Sequence, residues 1–151
     1  MKKNPRAVER TILIAVTPAR SFRALIDPTD LKRWWGVREA VVIPRKNGVW
    51  SLGWNAYGEE NFYVTTAFIE KIVTNRELRL RDVIYFRPDI KPMGPMTLSF
   101  RLKSVRRQTE VTVRQGNYGG GKVWDAYYRA VQDGWDKTLW SLKKYLERKA
   151  K

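Results

Sequence analysis

The sequence predicts an α+β fold in which a curved antiparallel β-sheet wraps around one long C-terminal α-helix, with two short helices after the first strand. Three observations point there. Short β-branched and aromatic runs follow one another with brief turn segments between them, which favours antiparallel pairing. Two helical stretches, each opened by a proline, come directly after the first of these runs. The chain then closes on residues 123–148, which carry an apolar stripe at helical spacing.

Each element has its own signal. Residues 10–16 (RTILIAV) form a short β-branched run and read as a buried strand. Thr17 is placed to cap a helix that Pro18 begins, and Asp27 with Pro28 repeats the device until Gly36 ends the second helix. The runs AVVIP and GVWSLGW flank Arg45-Lys46-Asn47-Gly48, a hairpin signal. Four further strands follow: NFYVTTAFIEKIV, ELRLRDVIYF, MTLSFRLKS and TEVTVRQG. They are joined at Asn75-Arg76, at RPDIKPMGP and at Arg106-Arg107. One domain is expected over residues 10–148, with tails at 1–9 and 149–151.

Composition bounds the function. The 151 residues are 43% hydrophobic and 13% aromatic, enough for a substantial core despite 30% charged residues. No apolar run approaches the roughly 20 residues that span a bilayer. The opening MKKNPRAVERTILIAV has basic residues before an apolar stretch, but Glu9 and Arg10 interrupt it, so it reads as a strand rather than a signal peptide. The chain has no cysteine, hence no disulfide, and a reducing cytoplasm is the expected location. It also has no histidine, which removes the Ser-His-Asp triad, the imidazole base and any Cys/His zinc site. Acid–base chemistry would fall to carboxylates, tyrosine or lysine. No catalytic residue, metal site or cofactor is expected.

The last helix carries an anomaly. At 100° per residue, Trp124, Tyr128, Val131, Trp135, Leu139, Leu142 and Leu146 fall within about 40° of one direction. The helix would run about 39 Å, enough to cross most of a sheet. Gly134 interrupts it, although glycine costs roughly 1 kcal/mol there relative to alanine. The expectation is that its missing side chain lets a strand or short helix approach closely. Trp140 lies about 140° from the stripe and is expected on the outer side, as a contact for a homodimer.

In TPARSFRALIDPTDLKRWWG, NGVW and DGWDKTLWSLKKYLE, the chain resembles the START-like (SRPBCC) superfamily, and within it the activator-of-heat-shock-protein-90-ATPase-like branch. The shared set includes Pro18, Trp34, Gly48, Trp50, Gly134 and Trp135. The glycine pair usual before the tryptophan is Asn47-Gly48-Val49 here. The resemblance implies a helix-grip fold with a cavity between sheet and long helix, often holding an apolar ligand. It implies no shared catalytic residues. A second, chaperone-docking domain is not expected within these residues.

Three sharper signals compete with plainer readings. GNYGGGK, residues 116–122, fits the phosphate-loop pattern G-x-x-x-x-G-K, but Val123 replaces the Ser/Thr that would hold magnesium. A hinge entering the helix is the better reading. The formal charge of +15 invites nucleic acid or an acidic membrane. However, Arg79, Arg81, Arg101, Lys103 and Arg114 alternate with Leu78, Leu80, Leu98, Phe100, Leu102, Val111 and Val113, so they read as a solvated outer face with Tyr85 its clear aromatic. Weak, non-specific nucleic-acid binding follows from that face. Asp82 falls on the apolar phase of LRLRDVI, where a carboxylate is a polar anchor in a cavity or an acid/base with a raised pKa, unless a bulge turns it outward or it forms a structural pair with an arginine.

The function expected is binding of a small, largely apolar ligand, a hydrophobic molecule or lipid, between sheet and helix. Trp50, Trp54, Asp82, Phe100, Tyr128 and Trp135 are the candidate lining residues, since aromatic walls with few polar groups suit such pockets. The alternatives are a polyketide-cyclase-like enzyme acting on a hydrophobic substrate, and a basic interaction module.

Overall fold

A computed structural model describes residues 6–56 and 58–149. It contains β1 (Ala7–Ile14), α1 (Pro18–Ile26), α2 (Pro28–Trp34), β2 (Glu39–Val42), β3 (Val49–Trp54), β4 (Tyr63–Val73), β5 (Glu77–Phe86), β6 (Met93–Val105), β7 (Gln108–Gly116) and α3 (Lys122–Lys149). The seven strands form one antiparallel sheet in the order β1-β7-β6-β5-β4-β3-β2. The expected order of elements is the observed one.

Local chemistry sets the helix ends. The Thr17 hydroxyl accepts from the Arg20 amide and the Asp27 carboxylate from the Thr29 amide, with Pro18 and Pro28 at the first helical positions. Gly36 follows α2 at φ +71°, a conformation that L side chains adopt only with strain. Gly48 is needed for a different reason. A Cβ there would lie 2.0 Å from the Ile43 carbonyl oxygen across the β2–β3 turn.

The strand start differs from expectation. β1 begins at Ala7 because β7 extends to Gly116 and pairs with it, so residues 7–9 belong to the sheet rather than to a tail. Residues 1–5 of the expected tail lie outside the described residues. β1 is an edge strand, and α3 covers its open side. Lys143 Nζ donates to the Leu13 carbonyl at 2.8 Å, the Ala15 amide donates to Glu147 at 2.9 Å, and Arg10 pairs with Asp136. Covering an edge this way protects it from pairing with another chain.

The inward face of the sheet supplies the core. Leu78, Leu80, Leu98, Phe100, Val111 and Val113 are all buried, and they meet Leu139, Leu142 and Leu146 from the C-terminal half of α3. The two short helices are pinned by a buried charge cluster. Arg20 makes a two-bond pair with Asp30, and Tyr145 of α3 donates to the same carboxylate.

One correction concerns β5. Asp82 is exposed at φ +52° and pairs with Arg81 at 2.6 Å. Arg81 opposes Phe68 and Ile84 opposes Thr66, so Asp82 and Val83 together face the single residue Ala67. This is a β-bulge, and aspartate tolerates the left-handed conformation it demands. After the bulge the alternation inverts. Val83 and Tyr85 turn inward, so Tyr85 does not belong to the basic outer face.

Candidate functional site

The N-terminal half of α3 stands away from the sheet and leaves a cavity of about 720 Å³. Its wall is aromatic. Trp35 from the end of α2, Trp50 and Trp54 from β3, and Trp135 from α3 meet around one point. Trp35 is the hub, with ring centroids 6.1, 5.6 and 5.7 Å from Trp50, Trp54 and Trp135. Tyr63, Tyr85 and Tyr127 continue the wall, the last two 5.0 Å apart.

Three of the wall tryptophans have their N–H groups engaged by the protein. Trp50 Nε1 donates to the Leu25 carbonyl at 3.0 Å and Trp54 Nε1 to the Trp35 carbonyl at 3.1 Å. Both therefore satisfy carbonyls near the ends of α1 and α2 while locking their own rings in place. Trp135 Nε1 donates to Gln115 Oε1 at 2.7 Å. The three indoles are thus fixed in orientation before any ligand arrives.

Polar groups are few and specific. Gln115 lies at the floor, buried, with its amide nitrogen 3.1 Å from Tyr127 Oη and 3.5 Å from Met96 Sδ. Burial pushes the Tyr127 phenol up to about 12, and burial likewise raises Tyr63 and Tyr85. All three hydroxyls are protonated near neutral pH. Arg87 and Lys122 bring two cations to the lining, and no carboxylate lines it among the described residues. Arg87 is held by Asp89 on the loop after β5. The exposed lining residues Lys122, Val123, Ala126 and Ala130 place the open side along the first turns of α3. Among the described residues, no group of acidic or other ligating side chains could hold a metal ion.

A family model for Activator of Hsp90 ATPase homolog 1-like protein matches residues 15–147. The chain belongs to that family. Family membership agrees with the helix-grip architecture and with the START-like resemblance of the sequence. Among solved structures, the Aha1 dimer from Colwellia psychrerythraea is 20% identical, with 94% of this chain and 96% of that one covered at a TM-score of 0.70. A Mesorhizobium loti protein is 18% identical over 95% of this chain and 98% of its own, at a TM-score of 0.74. A Rhodobacter sphaeroides protein is 20% identical over 94% and 93%, also at 0.74. At these identities the likeness is one of fold. No curated protein matches the sequence.

The structure brings together only some of the expected site residues. Trp50, Trp54 and Trp135 line the cavity. Phe100 does not. It is fully buried behind the wall, with centroids 6.5 Å from Trp50 and 5.9 Å from Trp135. Asp82 is on the outer surface, for the reason given above. Tyr128 also misses the cavity, packing against Tyr118 and beneath the Arg6 guanidinium, 4.7 Å from its ring centre. Arg6 is fixed there by Asp125 and the Gly119 carbonyl. Its neighbour Tyr127 points into the cavity instead, because the two residues sit 100° apart on the helix.

Trp35, Tyr63, Tyr85, Gln115 and Tyr127 were not foreseen as site residues. The doubled tryptophan of RWWG carried a usable signal for Trp35, since adjacent helical residues cannot both face one core. Gly134 is a second correction. A Cβ built on it meets nothing within 4 Å, so it does not seat the helix against a neighbour. It lines the cavity, and its missing side chain leaves that space open.

Proposed function

We propose that this protein binds a small, largely apolar ligand in the cavity between the sheet and the N-terminal half of α3. The observation that carries the reading is the wall of four tryptophans and three tyrosines around about 720 Å³, with the indole N–H groups of Trp50, Trp54 and Trp135 already committed to protein acceptors. That volume falls within the range of small-molecule pockets. Flat ring faces suit an aromatic or polycyclic hydrophobic ligand, held by stacking and by removal of apolar surface from water. Among the described residues the lining has no carboxylate, and its phenols are shifted away from neutrality, which favours binding over acid–base turnover of the polyketide-cyclase kind.

A second copy of the chain is the macromolecular partner we favour. Trp140 is 54% exposed on α3, at helical spacing between Asp136 and Lys143, which both reach β1. A solved structure of like fold is a dimer.

Native mass spectrometry of protein purified from its own host tests the binding reading directly. A retained small molecule, released on denaturation, is the expected result. Absence of a bound mass, together with no quenching of tryptophan fluorescence by flat aromatic compounds or fatty acids, would sink it.

A further inference from the structure

We infer that the ligand of this cavity carries a hydrogen-bond acceptor, such as a ketone, ester or carboxylate oxygen, that receives the hydroxyl proton of Tyr127. The inference rests on the binding reading above and specifies the chemistry its ligand brings.

The chain of reasoning starts at Trp135. An indole N–H can only donate, so the Gln115 atom 2.7 Å from Trp135 Nε1 must be the carbonyl oxygen. That removes the usual ambiguity between the two ends of an amide. The nitrogen end of Gln115 therefore faces Tyr127 Oη at 3.1 Å and Met96 Sδ at 3.5 Å, and its two protons go there. Tyr127 Oη is the acceptor in that bond. Its single proton must point elsewhere, and among the described residues no acceptor receives it. Tyr127 lines the cavity, so the proton is available to a bound molecule. Burial pushes the phenol up to about 12, which keeps that proton in place across the physiological range.

The relay also fixes what is rejected. A ligand presenting only hydrocarbon at this point leaves a buried donor unpaired, and one presenting a donor meets another donor. Trp135, Gln115 and Tyr127 thus set one oriented donor into the aromatic wall. Gln115 acts through Tyr127 and is a positioning residue.

The test compares 2-acetylnaphthalene with 2-isopropenylnaphthalene, a hydrocarbon of nearly the same size that has no carbonyl, by quenching of intrinsic tryptophan fluorescence. Tyr127→Phe is expected to weaken the ketone roughly 3- to 10-fold, the range of one net hydrogen bond, and to leave the hydrocarbon no weaker and, as the unpaired donor is gone, bound more tightly. Equal effects on both probes, or no effect on either, would overturn the inference while leaving the cavity a binding site. Failure of the wild-type protein to bind either probe would remove the binding reading itself. The infrared carbonyl stretch of the ketone bound to wild-type protein gives an independent readout should the variant fail to fold. A shift below its frequency in an apolar solvent supports the bond, and an unshifted band overturns it.

Discussion

Trp135 Nε1 and Gln115 Oε1 lie 2.7 Å apart, and with the Gln115–Tyr127 bond this contact ties the long helix to the end of β7 at the floor of the cavity. Both residues are buried, so the contact has no solvent to replace it. Gln115→Leu strands the indole N–H and is expected to destabilise by roughly 1–3 kcal/mol in urea unfolding. A loss below about 0.5 kcal/mol would show that this contact does not help to hold the helix.

Gly134 supplies a prediction opposite in sign to its first reading. Because an added Cβ meets nothing, Gly134→Ala should stabilise by about 0.5–1 kcal/mol through helix propensity. Gly134→Leu should fold as well but fill part of the cavity, and so weaken binding of naphthalene-sized probes. Thermal melts and fluorescence titrations of both variants decide the matter. A destabilised Gly134→Ala would mean that the helix sits closer to its neighbours than the structure shows.

The cluster of Asp30, Arg20 and Tyr145 should make stability depend on acid. Burial acts to raise the Asp30 carboxyl, but the hydrogen bonds from Arg20 and Tyr145 and the nearby Arg23 outweigh it and hold the group below its ordinary value. A carboxylate with a lowered folded pKa contributes stability that is fully present above its unfolded pKa. That contribution is lost as pH falls through the lower folded value, a window below about pH 4. Asp30→Asn should cost roughly 3 kcal/mol at neutral pH, the low end for a broken buried pair, since Arg20 keeps some exposure. It should also flatten the pH dependence in that window. An unchanged acid profile would assign the acid lability to other groups.

The basic outer face is expected to bind nucleic acid weakly, without sequence preference and with steep salt dependence. Arg79, Arg81 and Arg114 already pair with Glu77, Asp82 and Glu9, whereas Arg101 and Lys103 make no ion pair among the described residues. Replacing Arg101 and Lys103 by alanine should therefore weaken binding more than replacing Arg79 and Arg81. Fluorescence anisotropy across a salt series measures both. Tight binding that persists at high salt in all variants would contradict a purely electrostatic face.

Trp140 tests self-association. Sedimentation should show a dimer for the wild type and a monomer for Trp140→Lys, with the thermal melt of the dissociated subunit otherwise intact, because a half-exposed indole contributes little to its own core. Identical masses for the two proteins would end this assignment.

The sequence by itself determined the architecture. Thr17-Pro18 and Asp27-Pro28 encode helix starts through local hydrogen bonds and a fixed φ, which need no distant partner. The alternation in β6 and β7 likewise places Phe100, Val111 and Val113 inward through strand geometry alone. The site was legible only where a residue faced the same way under either reading, as Trp50, Trp54 and Trp135 do. What tertiary structure decided was phase and emptiness. A single extra residue at Asp82 inverts β5, turning Asp82 out and Tyr85 in, and a bulge is defined by its neighbour strands rather than by its own sequence. Whether Gly134 admits a close neighbour or an open cavity depends on how far the helix stands from the sheet. Periodicity records which faces avoid water, but a wall around a cavity and a wall around a packed core avoid it equally.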